Sequence, residues 1–178
     1  SLDSHLDLPS VLHDKKRLRK IEILPFERAL ISGLETVMTA HVLYPAFDPK
    51  YPATLSRRIV QHLLREELRF NGVVFTDDLE MKAVEDRWGI ERSCLLAVNA
   101  GVDALLICRD PVKQEKALHA LIQSVENGEI TVERIEESAA RVLELKRRWL
   151  GTPFHADQRM IETQVGSMAH RKLASTIA

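Results

Sequence analysis

The apolar residues of this chain fall into short continuous segments that alternate with longer amphipathic ones. The clearest short segment, residues 72–81 (GVVFTDDLEM), is an apolar, β-branched run that ends at Thr76, Asp77 and Asp78. A continuous apolar run of this length is typical of a parallel strand that is buried on both faces. Two further strands are predicted over residues 35–44 and 103–109.

Amphipathic segments separate the three predicted strands. Between the first two strands, apolar residues recur with helical spacing and predict a helix. These residues are Leu55, Ile59, Val60, Leu63, Leu64 and Leu68. Other helices are predicted over 14–20, 24–31, 90–100, 111–126, 131–150 and 167–178, with a linker over 154–165.

The alternation of strands and helices predicts right-handed βαβ units and a parallel α/β sheet. Three strands are too few to close a barrel or to form a doubly wound sheet with ease. We therefore expect this chain to be a piece of a larger fold.

The composition indicates a mixed-charge surface and excludes two classes of partner. The chain has 178 residues, a charged fraction of 29% and a formal net charge of -1. Its basic clusters, at 15–19 and 146–148, are short and lie among acids and leucines, which is typical of solvated helix faces. No apolar run approaches the ~20 residues that span a bilayer. We expect no nucleic-acid partner and no membrane span.

Cysteine usage bears on the cellular compartment. Cys94 and Cys108 lie in apolar contexts without Cys-x-x-Cys spacing, and we expect both to be buried free thiols. Free thiols are typical of a reducing compartment, so we expect a cytoplasmic location. The chain begins at Ser1 without a methionine, so the lack of a visible secretory signal carries little weight.

The first candidate for chemistry is the pair of carboxylates that follows the central strand. In a (β/α)8 barrel, polar residues at the carboxyl end of a strand are where catalysis occurs. A carboxylate there can attack the anomeric carbon of a sugar and form a glycosyl-enzyme. The alternative is that Asp77 and Asp78 only cap the next helix, and spacing alone favours neither interpretation.

Two histidines are further candidates. Asp3 lies two residues before His5 in a loop, where its carboxylate can fix the imidazole tautomer for general acid/base chemistry. The alternative is a solvent-exposed loop histidine. His41, near the end of the first predicted strand, can line the same pocket and bind substrate, although a structural role beneath the pocket is favoured. No metal-ligand spacing and no glycine-rich phosphate loop is present, so no metal site is predicted.

These motifs, in this order, resemble those of glycoside hydrolase family 3, and within it the bacterial β-N-acetylglucosaminidases (β-hexosaminidases) of cell-wall turnover. Residues 3–5 resemble the Asp-Ser-His signature, 38–42 the Met-x-Ala-His-Val strand, and 70–81 (FNGVVFTDDLEM) the nucleophile strand. Three more stretches are similar to the family: residues 52–56, residues 100–103, and residues 165–174 at the connection into a second domain.

The resemblance implies a fold and a set of roles. Residues 1–150 would form the C-terminal part of a (β/α)8 TIM-type barrel, and residues 151–178 a linker and helix leading out of it. Asp77 would be the nucleophile, His5 the general acid/base, and Asp3 the residue that orients His5. Asp78 would keep the helix-capping role, and Thr76 is a candidate donor that keeps Asp77 ionised.

The resemblance also implies a reaction: retaining hydrolysis of terminal, non-reducing β-linked N-acetylglucosamine from a glycan or muropeptide, without a metal or organic cofactor. The histidine favours this subgroup, because the β-glucosidases of the family take their acid/base from a glutamate in another domain. The alternatives are a β-glucosidase-like exo-glycosidase and a non-catalytic barrel relative. The upstream residues that clamp the sugar in the family are not in this chain, so we expect these 178 residues alone to be inactive or nearly so.

Overall fold

The computed structural model of the protein describes residues 7–151 and 157–177. The chain divides into two compact units, Ser1–Leu145 and Lys146–Ala178. The sheet and the helices packed on it belong to the first unit.

Three parallel strands form the sheet in the order β1 (Thr36–Met38), β2 (Val73–Asp78) and β3 (Ala104–Leu106). The first residues of β2, Val73 and Val74, point to opposite faces of the sheet and are both almost fully buried, as the continuous apolar run predicts. The first predicted strand is wrong in length. After Met38 the backbone leaves the sheet and turns, with the Val42 N–H donating to the Ala40 carbonyl.

Most predicted helices are present. In the first unit they are α1 (Lys15–Lys20), α2 (Leu24–Ile31), a 3-10 turn (Ala53–Leu55), a π-helix (Arg58–Glu67), α3 (Lys82–Ala100), α4 (Pro111–Glu126) and α5 (Val132–Leu150), which extends past the unit boundary. The second unit contains α6 (Gln158–Gln164) and α7 (Met168–Ile177). The linker predicted over 154–165 is wrong in its second half, because Asp157 accepts from the Arg159 N–H and caps α6.

The hydrophobic core of the first unit lies between β2 and the helices that flank it in sequence. Its members include Leu55, Val60, Phe70, Val74, Leu79, Val84, Ile90, Cys94, Ala97, Val102 and Ala117. Burial of this apolar surface is the main force that fixes β2 against α3 and the π-helix.

Two glycines permit backbone arrangements that other residues would disturb. A Cβ on Gly72 would lie 2.2 Å from the Glu35 carbonyl oxygen, so glycine allows β2 to begin close beside β1. Gly89 has φ +69° and ψ 166°, which breaks α3 into a short segment, residues 82–88, and a longer one, residues 90–100. The short segment follows the carboxyl end of β2 directly.

Candidate active site

The carboxyl end of β2 contains a β-bulge. Phe75 pairs with Ala104 but Asp78 pairs with Leu106, so β2 has one more residue than β3 between these two pairs. The Leu106 N–H donates to Thr76 Oγ1 at 2.8 Å, and Thr76 is fully buried. The hydroxyl therefore accepts a backbone donor of β3 at the irregularity. Bulges of this kind redirect side chains at strand ends and are common beside active sites.

Asp77 lies at this strand end with a partly exposed side chain. Its Oδ1 accepts from the Asp78 N–H at 2.9 Å. Among the side chains that the structure describes, none donates a hydrogen bond or forms an ion pair to Asp77. The donor that we expected beside Asp77 is therefore a backbone group, while the Thr76 hydroxyl is engaged with β3. Within the part of the chain that the structure describes, the Asp77 carboxylate is therefore oriented by one donor and has acceptor positions to spare.

Asp78 has a different role from the one predicted. Its Oδ1 accepts from the Glu80 N–H at 3.1 Å and from the Cys108 N–H at 3.3 Å. The N-cap of α3 is Met81, which makes no capping bond with its side chain. The helix-capping prediction for Asp78 is therefore wrong, because a turn separates the strand from the helix. The Asp78 carboxylate instead connects that turn to the loop after β3.

Glu80 is a further residue at this strand end, and the sequence pattern did not predict a role for it. Its side chain is only 3% exposed, and Oε1 lies 3.6 Å from the Lys113 ammonium nitrogen. Oε2 accepts from the Arg109 N–H at 2.6 Å, and this bond is the main reason that the pKa of Glu80 lies below its usual range. Glu80 thus holds the β3–α4 loop against the end of β2. The only sequence signal was a carboxylate between two apolar residues, Leu79 and Met81.

His41 is fully buried beneath the strand end. Its Nε2 lies 2.9 Å from the Asp78 carbonyl oxygen, which can only accept, so Nε2 carries the proton. Its Nδ1 then accepts from the Thr54 hydroxyl at 2.9 Å, which in turn accepts from the Thr39 hydroxyl at 2.9 Å. Burial lowers the pKa of His41 and favours this neutral form.

The His41 geometry bears on the predicted substrate contact. Both ring nitrogens bond protein groups, so neither is left to bind a sugar hydroxyl in this conformation. The ring instead fixes the backbone carbonyl of Asp78, one residue after Asp77. Thr39 and Thr54, which complete this chain of hydrogen bonds, were not identified from the sequence.

The predicted acid/base pair, Asp3 and His5, lies outside the described residues. The chain that follows the pair runs beside the loop after β1: the Leu43 N–H donates to the Pro9 carbonyl at 2.8 Å, and the Val11 N–H donates to the Leu43 carbonyl at 2.9 Å. Residues 9–11 therefore lie beside Leu43, which is two residues after His41 in sequence.

The prediction of two buried thiols is correct for one cysteine. Cys94 is buried in the core, and this burial raises the pKa of its thiol to about 12. Cys108 is exposed after β3, because its backbone bonds Asp78 at the edge of the sheet rather than entering the core. Desolvation and then the Asp78 carboxylate raise the pKa of Cys108 as well. Neither thiol is therefore activated as a nucleophile.

Two further observations apply to the part of the chain that the structure describes. No three histidine, cysteine, aspartate or glutamate side chains are grouped so that they could hold a metal ion. None of the described helices combines the length and the apolar character that crossing a membrane requires.

Asp77 and Asp78 lie at the carboxyl end of a parallel strand, which is where the active sites of α/β barrel enzymes are found. Residues 1–145 match the family described as the glycosyl hydrolase family 3 N-terminal domain. The chain belongs to glycoside hydrolase family 3, which confirms the resemblance and the TIM-barrel type of its α/β fold.

Proteins similar to this chain include two named as β-hexosaminidases. β-Hexosaminidase A of Pseudoalteromonas piscicida is 31% identical over 99% of this chain and 32% of its own length. The β-hexosaminidase of Pseudomonas aeruginosa is 40% identical over 67% of this chain and 35% of its own length. The chain thus spans about a third of the length of these curated relatives.

Two solved structures have the same fold. A family 3 β-N-acetylglucosaminidase from Paenibacillus sp. str. FPU-7 is 42% identical with a TM-score of 0.86, covering 93% of this chain and 31% of that one. The β-N-acetylglucosaminidase from Thermotoga maritima is 34% identical with a TM-score of 0.73, covering 77% of this chain and 30% of that one.

Proposed function

We propose that this chain carries part of the active site of a retaining exo-glycosidase that removes terminal, non-reducing β-linked N-acetylglucosamine. The observation that carries the proposal is the Asp77 carboxylate: it lies at the end of the central strand, and its one described donor is the Asp78 N–H. The names of relatives at 31–42% identity support the substrate class.

In the proposed mechanism Asp77 attacks the anomeric carbon as the bond to the departing glycosidic oxygen breaks. His5, oriented by Asp3, donates a proton to that oxygen, so the aglycone leaves as an alcohol and the sugar remains as an ester on Asp77. His5 then takes a proton from water as the water attacks the same carbon. The sugar is released with its configuration retained, and the Asp77 carboxylate is restored. A histidine side chain ordinarily has a pKa of about 6.5, which suits both steps at neutral pH.

The other residues at the strand end act through Asp77. His41 holds the Asp78 carbonyl at 2.9 Å, and Asp78 and Glu80 hold the loop after β3 through its backbone N–H groups. We assign these three residues positioning roles, because a nucleophile misplaced by about 1 Å can cost about 100-fold in rate.

Two finer parts of the proposal concern biology. Muropeptide-derived sugars are the proposed natural substrates, and the cytoplasm is the proposed location, which rests on the free thiols Cys94 and Cys108. Incubation of purified muropeptides with the protein in its natural full length should release one N-acetylhexosamine per non-reducing end, which mass spectrometry would detect.

The test of the proposed function is covalent labelling by a fluorosugar of the N-acetylglucosamine series, applied to the protein in its natural full length. The slowly hydrolysed adduct should appear on the peptide that contains Asp77. Asp78→Asn should still be labelled there, because an amide oxygen can also accept from the Glu80 and Cys108 N–H groups, whereas Asp77→Asn should not be labelled.

The same experiment separates the alternatives. Labelling by the glucose analogue with faster turnover of aryl glucosides would favour a β-glucosidase-like enzyme. No adduct from either sugar, together with no hydrolysis of aryl glycosides, would favour a non-catalytic relative.

A further inference from the structure

The end of β2 extends beyond the strand beside it. β1 ends at Met38, opposite Phe75, whereas β2 continues to Asp78. The Thr39 N–H still donates to the Phe75 carbonyl at 2.9 Å, but the backbone then turns away from the sheet. Farther along β2, the His41 side chain donates to the Asp78 carbonyl at 2.9 Å. A side chain thus takes the place of backbone pairing beside the proposed nucleophile.

Each proton in the chain of hydrogen bonds around His41 has a defined place. A carbonyl oxygen only accepts, so His41 Nε2 carries the imidazole proton. In the neutral ring Nδ1 is then an acceptor, and the single hydroxyl proton of Thr54 is directed at it over 2.9 Å. The Thr54 oxygen in turn accepts from the Thr39 hydroxyl at 2.9 Å. The other neutral tautomer would set two lone pairs against each other at the Asp78 carbonyl and would displace the Thr54 proton.

The Thr54 hydroxyl is held in place by the turn that carries it. Thr54 lies in the 3-10 turn Ala53–Leu55 and, like His41, is fully buried. The Ala53 N–H donates to the Val42 carbonyl at 2.8 Å, which fixes this turn beside the residue that follows His41. Because a buried acceptor without a donor is costly, loss of the hydroxyl would favour rotation of the ring. That rotation would break the bond at Nε2.

We propose that Thr54, supported by Thr39, is a positioning residue that fixes the orientation and tautomer of His41 and thereby the peptide next to the nucleophile. This inference rests on the proposed function, since it requires Asp77 to attack the sugar. Asp78 is the connection, because its carbonyl accepts from His41 and its N–H donates to Asp77 Oδ1 at 2.9 Å. Thr54 therefore acts through His41 and not on the reacting atoms.

The kinetic experiment compares Thr54→Val with Thr54→Ser in the protein in its natural full length, with 4-nitrophenyl N-acetyl-β-glucosaminide as substrate. Thr54→Val keeps the shape of the side chain but removes the donor to Nδ1, and the displaced nucleophile should lower kcat by about 10- to 100-fold. KM should change little, because the nucleophile acts in the transition state rather than in binding. Thr54→Ser retains the hydroxyl and should restore most of kcat.

The matched control is Ser56→Ala, in the same buried loop. The Ser56 hydroxyl donates to Asp48 Oδ2 at 2.7 Å and is separate from the hydrogen bonds of His41. Its loss should lower the midpoint of urea unfolding without lowering kcat under conditions where the protein is folded. Thr39→Val removes only the donor to Thr54, so its loss of kcat should be smaller than that of Thr54→Val.

A spectroscopic measurement follows the imidazole directly. Nitrogen-15 NMR of histidine-labelled protein reports which ring nitrogen carries the proton, and the signals of His41 are those that disappear in His41→Gln. We expect the Nε2–H tautomer at neutral pH in the wild type, in Thr54→Ser and in Ser56→Ala, and altered ring signals in Thr54→Val. An Nδ1–H tautomer in the wild type would overturn the inference, and this test holds even if Thr54→Val does not fold.

Three kinetic results would also overturn the positioning role: wild-type kcat in Thr54→Val, equal losses in Thr54→Val and Thr54→Ser, or an equal loss in Ser56→Ala. Asp77→Asn separates these failures from that of the proposed function. If Asp77→Asn remained active, Asp77 would not be the nucleophile and both proposals would fall. If Asp77→Asn were inactive while Thr54→Val kept the wild-type kcat, only the positioning role would fall.

Discussion

The two ends of the sheet each carry an aspartate, and the protein surrounds the two aspartates very differently. Asp103, at the amino end just before β3, has a fully buried side chain. Its oxygens accept from Arg65, Arg134, Arg141, the Ser138 hydroxyl and the Val74 N–H. Asp77, at the carboxyl end of β2, accepts from one backbone N–H among the described residues.

Among the described residues, this difference separates a carboxylate whose oxygens are occupied by several donors from one that accepts a single hydrogen bond. The two oxygens of Asp103 accept five hydrogen bonds and the side chain is fully buried, so the group cannot approach another molecule. Burial lowers the pKa of Arg65, and the nearby Asp103 charge opposes that shift, so each ion compensates the desolvation of the other. In barrels of this type the amino-terminal face serves stability and the carboxyl-terminal face serves catalysis, and the roles proposed for these two aspartates follow that division.

The strongest test of this difference between the two aspartates is to neutralise Asp77, at the carboxyl end. In the natural full-length protein, Asp77→Asn should lower kcat for an aryl N-acetylglucosaminide by about 10⁴-fold or more, because no covalent intermediate can form. The amide oxygen can still accept from the Asp78 N–H, so the free energy of unfolding should change by less than about 0.5 kcal/mol. Residual activity within about tenfold of the wild type would remove Asp77 from the nucleophile role.

The second test replaces Asp103, the aspartate at the amino end of the sheet. Asp103→Ala should lower the free energy of unfolding by about 3–5 kcal/mol, because Arg65 would remain buried without its carboxylate. Urea titration would measure this loss. Asp86→Ala, which removes an exposed aspartate of α3, is the control and should cost less than about 0.5 kcal/mol. A cost for Asp103→Ala no larger than that of the control would show that its network is not structural.

A smaller effect tests whether the bulge belongs to the folded scaffold. Thr76→Val keeps the shape of the side chain but leaves the Leu106 N–H without its acceptor, so we expect a loss of about 1–3 kcal/mol in the free energy of unfolding. Thr36→Val on β1 is the control, since no side-chain hydrogen bond among the described residues fixes that hydroxyl. Similar small changes in both variants would mean that the Thr76 bond contributes nothing measurable.

The smallest effect concerns pH and the buried imidazole beneath the carboxyl end. The pKa of His41 is lowered in the folded protein, so below about pH 6.5 the unfolded chain binds a proton that the folded chain does not. Stability should therefore fall as pH drops through about 6.5 toward the folded pKa, and stay level below it with respect to this group. Chemical denaturation between about pH 7.5 and 5.5 would measure the slope.

The prediction for His41 is tested by comparing a variant of this buried histidine with a variant of an exposed one. His41→Gln should flatten the pH dependence, whereas His119→Gln, at an exposed position on α4, should keep the wild-type slope. An unchanged slope in His41→Gln would contradict the assignment of a neutral imidazole that is costly to protonate. The acidic groups with lowered pKa values, Asp7, Glu66 and Glu80, act at lower pH and do not overlap this range.

Local patterns predicted much of the fold. The helix over 111–126 has the predicted bounds, because Pro111 follows the capping residue Asp110 and the amphipathic period ends at Asn127. The central strand is also correct, since a continuous apolar run needs no knowledge of its partners. The strand over 35–44 was overestimated because β1 leaves the sheet after Met38, opposite Phe75, although β2 continues to Asp78, and no local pattern contains that departure.

The sequence by itself determined the family, through the order of its motifs, and the identity of the candidate residues Asp3, His5 and Asp77. Only the tertiary structure decided how the residues around Asp77 divide their roles. Asp78 bonds Cys108, Glu80 bonds Arg109, and His41 bonds Asp78, across separations of 29 to 37 residues. The pairing of strands and the bulge in β2 bring these residues together, so their hydrogen bonds form only once the sheet has formed.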